Sequence, residues 1–280
     1  MTNLLNALLN IQNYGNNDLR NIHVAADKDQ PRVNEAGADF DAFVKDAFCN
    51  TFSVKDSLQK MHAYATAFSY LGSQNHPPDI MIKNGDAVEV KKLKSVKGEI
   101  PLNSSYPKSK LHASSTLITE ECRNCEKWTE KDIIYAVGTV LSQKVRRIIF
   151  IYGDCYAARP EVYEKIRQSV ITAIGAVKNA SPETTELGRF NDVDPLKRTY
   201  MRVREMWHID SPALISSTIL KTELKKDLTV FAIMTQRKFE TFEKSSIAAV
   251  QKELRVEDMK LQDPNDPKKI LDCKLISFSF

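Results

Sequence analysis

Apolar residues recur along this chain with two different periods, and the switch between them marks where helices give way to strands. Leu4, Leu5, Leu8 and Leu9 have the spacing of an amphipathic helix. From Asn34 or Glu35, a second helical pattern places Phe40, Phe43, Val44, Ala47 and Phe48 on one face, and a further helix is predicted over about Val54 to Tyr70. Between these helical patterns, Asp18 to Arg32 is polar and reads as an arm. Gly72 through Pro78 is rich in turn formers, and beyond it the period drops to two. Ile133 to Val140, Arg147 to Tyr152, Thr199 to Trp207, Thr229 to Met234 and Leu271 to Phe280 read as strands, and Pro160 to Val177 as a long amphipathic helix with proline near its start. The expected class is α/β, a central mixed β-sheet flanked by helices. With no internal repeat and no Gly-, Ser- or Pro-rich linker, residues 1–280 are expected to form one domain.

The most specific local signal is the segment from Pro78 to Lys91, two alternating runs around Asn84-Gly85. Ile80, Ile82, Val88 and Val90 would face the core, leaving Asp79, Met81, Ala87, Glu89 and Lys91 on the other face. A two-residue turn at Asn84-Gly85 would pair Asp79 with Val90 and set a carboxylate beside the core. A three-residue loop, Lys83-Asn84-Gly85, puts Asp79 opposite Glu89 and matches the apolar residues instead. We therefore expect the three-residue loop, with Gly85 in the left-handed conformation of a bulge.

Composition changes this picture little. The chain is 42% hydrophobic and 27% charged with a net charge of +4, too small to indicate a nucleic-acid partner by itself. Between Lys83 and Lys110, however, seven lysines stand against Asp86, Glu89 and Glu99, a locally basic stretch that could also be a solvated face. Five cysteines, odd in number and irregular in spacing, fit a reducing cytoplasm, where we expect the protein to reside. Cys122 and Cys125 have the spacing of half a zinc site, without a second pair to complete it. The run Leu4, Leu5, Leu8 and Leu9 lacks a basic leader and a small-residue cleavage site and does not read as a signal peptide, and no apolar run approaches the roughly 20 residues of a membrane-spanning helix.

Chemistry enters with the hairpin. Two carboxylates facing each other, Asp79 and Glu89, repel unless a cation lies between them, and a hard divalent ion such as Mg²⁺ suits oxygen ligands. Such an ion meets the demands of phosphodiester hydrolysis at neutral pH. Lys91, on the same face, could position the attacking water and offset charge on the phosphate. A surface hairpin with incidental acids and a lysine remains the alternative, because the bare spacing is degenerate.

Pro78-Asp79, a nine-residue spacer and Glu89-Val90-Lys91 resemble the PD-(D/E)xK nuclease superfamily. The surrounding text narrows the resemblance: Tyr70-Leu71-Gly72, Asn75 to Asp79, Asn84 to Lys92, Leu102 to Leu111, Glu186-Leu187-Gly188-Arg189, Val193 to Leu196 and Tyr200 to Trp207. In that order and spacing the chain is similar to the NgoPII-type type II restriction endonucleases. The resemblance implies a restriction-endonuclease-like core, sequence-specific double-strand cleavage at GGCC, and a companion DNA methyltransferase that protects the host. In related nucleases an acid from the helix before the hairpin approaches the metal, which makes Asp41 a candidate. Here the text departs from the family, reading Gly37-Ala38-Asp39-Phe40-Asp41 where Gly-Asp-Ala-Leu-Glu is usual, and Arg204-Glu205-Met206-Trp207 in place of Arg-Gly-Met-Trp.

Binding of duplex DNA needs phosphate neutralisation, and reading G·C pairs needs donors for guanine. Asn103, Ser104, Ser105, Tyr106, Lys108 and Lys110 form one candidate segment, stiffened by Pro107. Arg202 and Arg204 on one face of a strand form another, with Arg189 from the Glu186-Leu187-Gly188-Arg189 motif. Residues from about 180 to 280 are expected to serve recognition and dimerisation, because a palindromic target calls for a two-fold homodimer. A repair or junction-resolving nuclease, and a non-catalytic DNA-binding module, stay open as alternatives.

Overall fold

The computed structural model describes residues 2–18, 35–72, 76–142, 144–177, 180–181, 186–222 and 226–280. The polar arm before the second helix falls for the most part outside them. Three helices come first: α1 (Leu4–Asp18), α2 (Glu35–Cys49) and α3 (Ser57–Ala67), the last capped by the Asp56 carboxylate, which accepts from the Leu58 amide. Helix α3 stops three residues short of the sequence expectation, because Phe68 turns its backbone extended and starts β1 (Phe68–Leu71).

Then come β2 (Ile80–Ile82), β3 (Ala87–Leu93), β4 (Glu99–Asn103), β5 (Lys110–His112), α4 (Glu120–Asn124), β6 (Glu130–Leu141), β7 (Lys144–Tyr152) and α5 (Pro160–Gly175). The remainder is β8 (Ala180–Ser181), β9 (Gly188–Phe190), β10 (Met201–Val203), β11 (Trp207–Asp210), α6 (Ser217–Lys221), β12 (Thr229–Thr235), α7 (Gln236–Glu240), α8 (Lys244–Glu253), β13 (Arg255–Asp263) and β14 (Asp266–Ser279). The strand expected over Thr199 to Trp207 is two short strands, β10 and β11. Between them Glu205 turns inward to accept from Arg167 and from the Trp207 indole, which breaks the alternation.

The main sheet runs β1-β2-β3-β6-β7-β12-β14-β13, with β5 joined to β6. Its centre is mixed: β3 pairs β6 in parallel, β6 pairs β7 antiparallel, and β12 pairs β7 in parallel. Apolar residues cover both faces, so strands such as β7 are almost continuously hydrophobic. One core joins Leu4, Leu5, Leu8, Phe40, Val44, Ile80, Ile82, Val88 and Phe150, sealing α1 and α2 onto the sheet. Gly138 on β6 makes room for this: a Cβ there would come within 2.9 Å of the Phe40 ring.

The second core, with Met81, Ala87, Leu111, Ile118, Cys122, Ile133 and Ile151, lies on the opposite face. Met81 and Ala87 are therefore buried, whereas the alternation alone assigned their whole face to the site. Cys122 and Cys125 are free thiols, and their sulfurs lie 3.3 and 3.8 Å from that of Met81. No helix among the described residues is long and apolar enough to cross a membrane.

Candidate active site

The hairpin has the expected count. Ile80 pairs with Val88 and Met81 with Ala87, which continues to Asp79 opposite Glu89. The Ile82 amide donates to the Asp86 carbonyl (2.9 Å), leaving the three-residue loop Lys83-Asn84-Gly85. The left-handed residue differs from expectation: Asn84 has φ 55°, while no glycine among the described residues has positive φ. Gly85 donates to the Ile82 carbonyl (2.9 Å), so Asn84 is the third residue of a tight turn, a place where type II geometry needs positive φ and accepts asparagine.

Both edges of β3 are paired, and on the far edge Glu89 sits beside Tyr135 of β6. Asp79 Oδ2 accepts from the Val90 amide at 2.6 Å, which ties the residue before β2 to the strand carrying Glu89. Glu89 is buried; one oxygen pairs with Lys91 Nζ at 2.6 Å, and the other, Oε2, has no partner. Burial, then the charge of Glu89, pushes the Asp79 pKa up to about 7, despite Lys91 and the Val90 amide, and Asp41 adds to the rise. Burial alone would push the Lys91 pKa down, but Glu89 and Asp79 outweigh it and hold the ammonium above its ordinary value. Asp41 on α2 acts on Asp79 from a distance while ion-paired to Lys45 one turn on.

These groups open into a cavity of about 30 Å³, also lined by His76, Asn103, Ser105, Lys108 and Tyr135. Two carboxylates at its wall, one oxygen unsatisfied and one carboxyl forced towards its neutral form, are the donor set a hard divalent cation fits. Among the described residues no group of three or more His, Cys, Asp or Glu assembles, so the protein would offer such an ion two carboxylates and leave further positions to other oxygens.

The segment from Asn103 to Lys110 divides between site and core. Asn103 ends β4 with φ 51° and Ser104 is half-buried beside it. Ser105 Oγ is buried without a partner. Tyr106 is not the exposed contact its sequence context suggests: its ring stacks on Tyr163 at 5.3 Å and meets Trp207 edge-on at 6.2 Å. Lys108 is 4% exposed, with Nζ 4.5 Å from the Tyr106 ring centre, and burial pushes its pKa down to about 8. Lys110 points elsewhere, to an ion pair with Glu130 and to Asp132 at 3.5 Å, beside a separate cavity of about 720 Å³.

Arg189, Arg202 and Arg204 gather on the small sheet β8-β9-β10, where Arg202 lies across from Arg189. Arg202 and Arg204 share one oxygen of Glu186, the latter at 2.6 Å, and the bond from Arg202 leads in lowering the Glu186 pKa to about 2. Arg189 lies over the Tyr200 ring at 3.9 Å. Both Arg202 and Arg204 remain substantially exposed.

Sequence reasoning missed Tyr135. Its hydroxyl accepts from the Lys108 amide (2.7 Å) and donates to the Lys108 carbonyl (3.2 Å), fastening the segment to the strand beside Glu89. A tyrosine inside the apolar run Ile133-Ile134-Tyr135-Ala136-Val137 was the available signal, since a buried hydroxyl needs a partner.

A large mixed sheet flanked by helices, with an Asp–Glu pair and a lysine lining one small cavity, has the architecture of a restriction-endonuclease-like core. A family model described as NgoPII restriction endonuclease matches residues 2–265. The chain is also 37% identical over 280 residues to "Type II restriction enzyme NgoPII" of Neisseria gonorrhoeae, covering 99% of each. The chain belongs to the NgoPII restriction endonuclease family, enzymes that cut double-stranded DNA at specific sites and generally use divalent metal ions. No solved structure matches it.

Proposed function

We propose that the protein cuts both strands of GGCC sites, with Asp79, Glu89 and Lys91 as its cleavage centre and Mg²⁺ as its metal. The buried, unpartnered Glu89 Oε2, in a cavity that Asp79 also lines, is the observation that supports this most directly. Asp79 and Glu89 would hold the ion, with Asp41 reaching it through water. When bound, the cation supplies Lewis-acid charge at the phosphate being cut.

The protein's own groups do the rest. Asp79 stays fixed by the Val90 amide, and Glu89 keeps Lys91 extended into the cavity. The Lys91 ammonium orients a water for attack on phosphorus and offsets the charge that grows there. The new bond from water oxygen to phosphorus forms as the bond to the leaving sugar oxygen breaks. The water gives up a proton and the leaving oxygen takes one. Burial around Glu89 and Tyr135 limits bulk water at the reacting atoms.

The GGCC target comes from the family likeness, and Arg202 and Arg204 are suited to guanine, with Arg189 and the Asn103–Lys110 segment as further contacts. A palindromic site calls for a two-fold homodimer that presents one centre to each strand, formed from single-domain protomers. A companion DNA methyltransferase in the same cytoplasm would protect the host's sites. Digestion of a sequenced plasmid with Mg²⁺, followed by mapping of the ends, tests the proposal. Discrete fragments ending within GGCC are expected, with no cutting by Asp79→Ala or Lys91→Ala. Cuts scattered over all sequences, or undiminished cutting by either variant, would overturn it.

A further inference from the structure

Lys108 carries a charge that the protein itself does not neutralise. It is 4% exposed, and among the described residues its ammonium forms no ion pair and no hydrogen bond, only the contact with the Tyr106 ring. The three nearby carboxylates, Glu89, Glu164 and Glu205, act on it only through space. Glu89 Oε1 holds Lys91, Glu205 accepts from Arg167 (2.9 Å) and the Trp207 indole (2.7 Å), and Glu164 takes the Tyr106 hydroxyl. A buried cation without a partner is costly, and such a group persists where a ligand completes it.

Its position says which ligand. Lys108 lines the same cavity as Asp79, Glu89 and Lys91, together with Ser105, whose hydroxyl is also unpartnered. The cavity lining thus combines two carboxylates with donors that the protein leaves unused. The backbone of Lys108 is clamped from both sides by Tyr135, on the strand paired with Glu89, so the ammonium is held in register with the carboxylates. A phosphate presented to the carboxylates would enter the cavity that Lys108 also lines.

Resting on the cleavage reading above, we propose that Lys108 is a second catalytic cation, binding a non-bridging oxygen of the phosphate that is cut. Lys91 and Lys108 then flank that phosphate from β3 and from the segment after β4. With Ser105 beside it, Lys108 stabilises charge on the phosphate as water attacks.

The test is single-turnover cleavage of a duplex with one GGCC site by wild type and Lys108→Met, with duplex binding measured in Ca²⁺ and thermal unfolding measured in parallel. The variant should lose about 100-fold or more in rate. Its DNA affinity should stay within about threefold of wild type, as for an interaction made mainly in the transition state. Its melting temperature should rise, because an uncompensated buried charge has been removed. With one phosphorothioate at the cut position, one diastereomer should slow wild type and leave the rate of Lys108→Met unchanged; equal slowing of both proteins would overturn the contact. Near-normal cleavage by Lys108→Met alongside a cutting wild type would overturn only this assignment. A wild type that cuts no DNA would remove the cleavage reading and this inference with it. Failure of both Lys108→Met and Lys108→Gln to fold would show a structural role instead.

Discussion

Replacing Asp79 with asparagine should make the metal-free protein more stable at alkaline pH while ending cleavage. In the fold, burial and the Glu89 charge lift the Asp79 pKa from 3.8 to about 7. At about 1.4 kcal/mol for each pH unit, ionising Asp79 within the folded protein costs up to about 4 kcal/mol. The sign follows from proton uptake. Between pH 4 and 7 the folded chain holds a proton that the unfolded chain has released, so stability falls as pH rises and the full penalty is present above about pH 7. Asparagine carries no charge and can still accept from the Val90 amide. Lys91, held above its ordinary value, stays charged across this window in both proteins. Urea denaturation in EDTA at several pH values from 5 to 8 should show the advantage of Asp79→Asn growing with pH, and a divalent cation should reduce it by stabilising wild type alone. A pH-independent difference, or a variant weaker than wild type at pH 8, would refute the electrostatic account of the site.

Three further outcomes follow from contacts elsewhere. Arg202→Ala or Arg204→Ala should reduce discrimination between GGCC and singly mismatched sites by about 1–3 kcal/mol in competition binding, whereas equal loss for every sequence would reduce the pair to phosphate contacts. Gly153→Ala places a Cβ within 2.4 Å of the Lys108 carbonyl and 2.5 Å of the Ser109 carbonyl. It should cost about 1–3 kcal/mol in denaturant unfolding and lower the cleavage rate more than DNA affinity. Lys238 bridges Asp86 and Asp132, each at 2.7 Å, while Tyr152 donates to Asp86. Lys238→Met should therefore cost about 3 kcal/mol, read from the midpoint of unfolding.

What could be read along the chain was what depends on neighbours in sequence. Alternation from Asp79 to Lys91 and the cost of a carboxylate beside the core were enough to count the hairpin loop. Which loop residue turns left-handed was not, because asparagine and glycine both tolerate that conformation and Asn84 took it. The second core was hidden for a different reason: Leu111, Ile118 and Cys122, which cover Met81 and Ala87, come from segments with no strong period. Lys108 read as a candidate DNA contact in a polar stretch. Its burial depends on Tyr106, Tyr135, Tyr163 and Trp207, which meet only in three dimensions. Arg202 on β10 and Arg204 just after it were visible, but their shared partner Glu186 was not, since it lies 16 and 18 residues away in sequence across a strand pairing.

Strand β3 is paired with β6 along its whole length and with β2 at Ala87 and Val88, and Asp79 holds the Val90 amide on that second edge. Its paired amides should be among the slowest in the molecule to exchange with solvent, because they open only when the centre of the sheet does. For an enzyme whose stray cuts would fall on its own host's chromosome, this has a protective side. A heat-damaged or partly degraded molecule loses its cutting centre outright, and the cell is spared a half-ordered form that still cleaves but no longer chooses where.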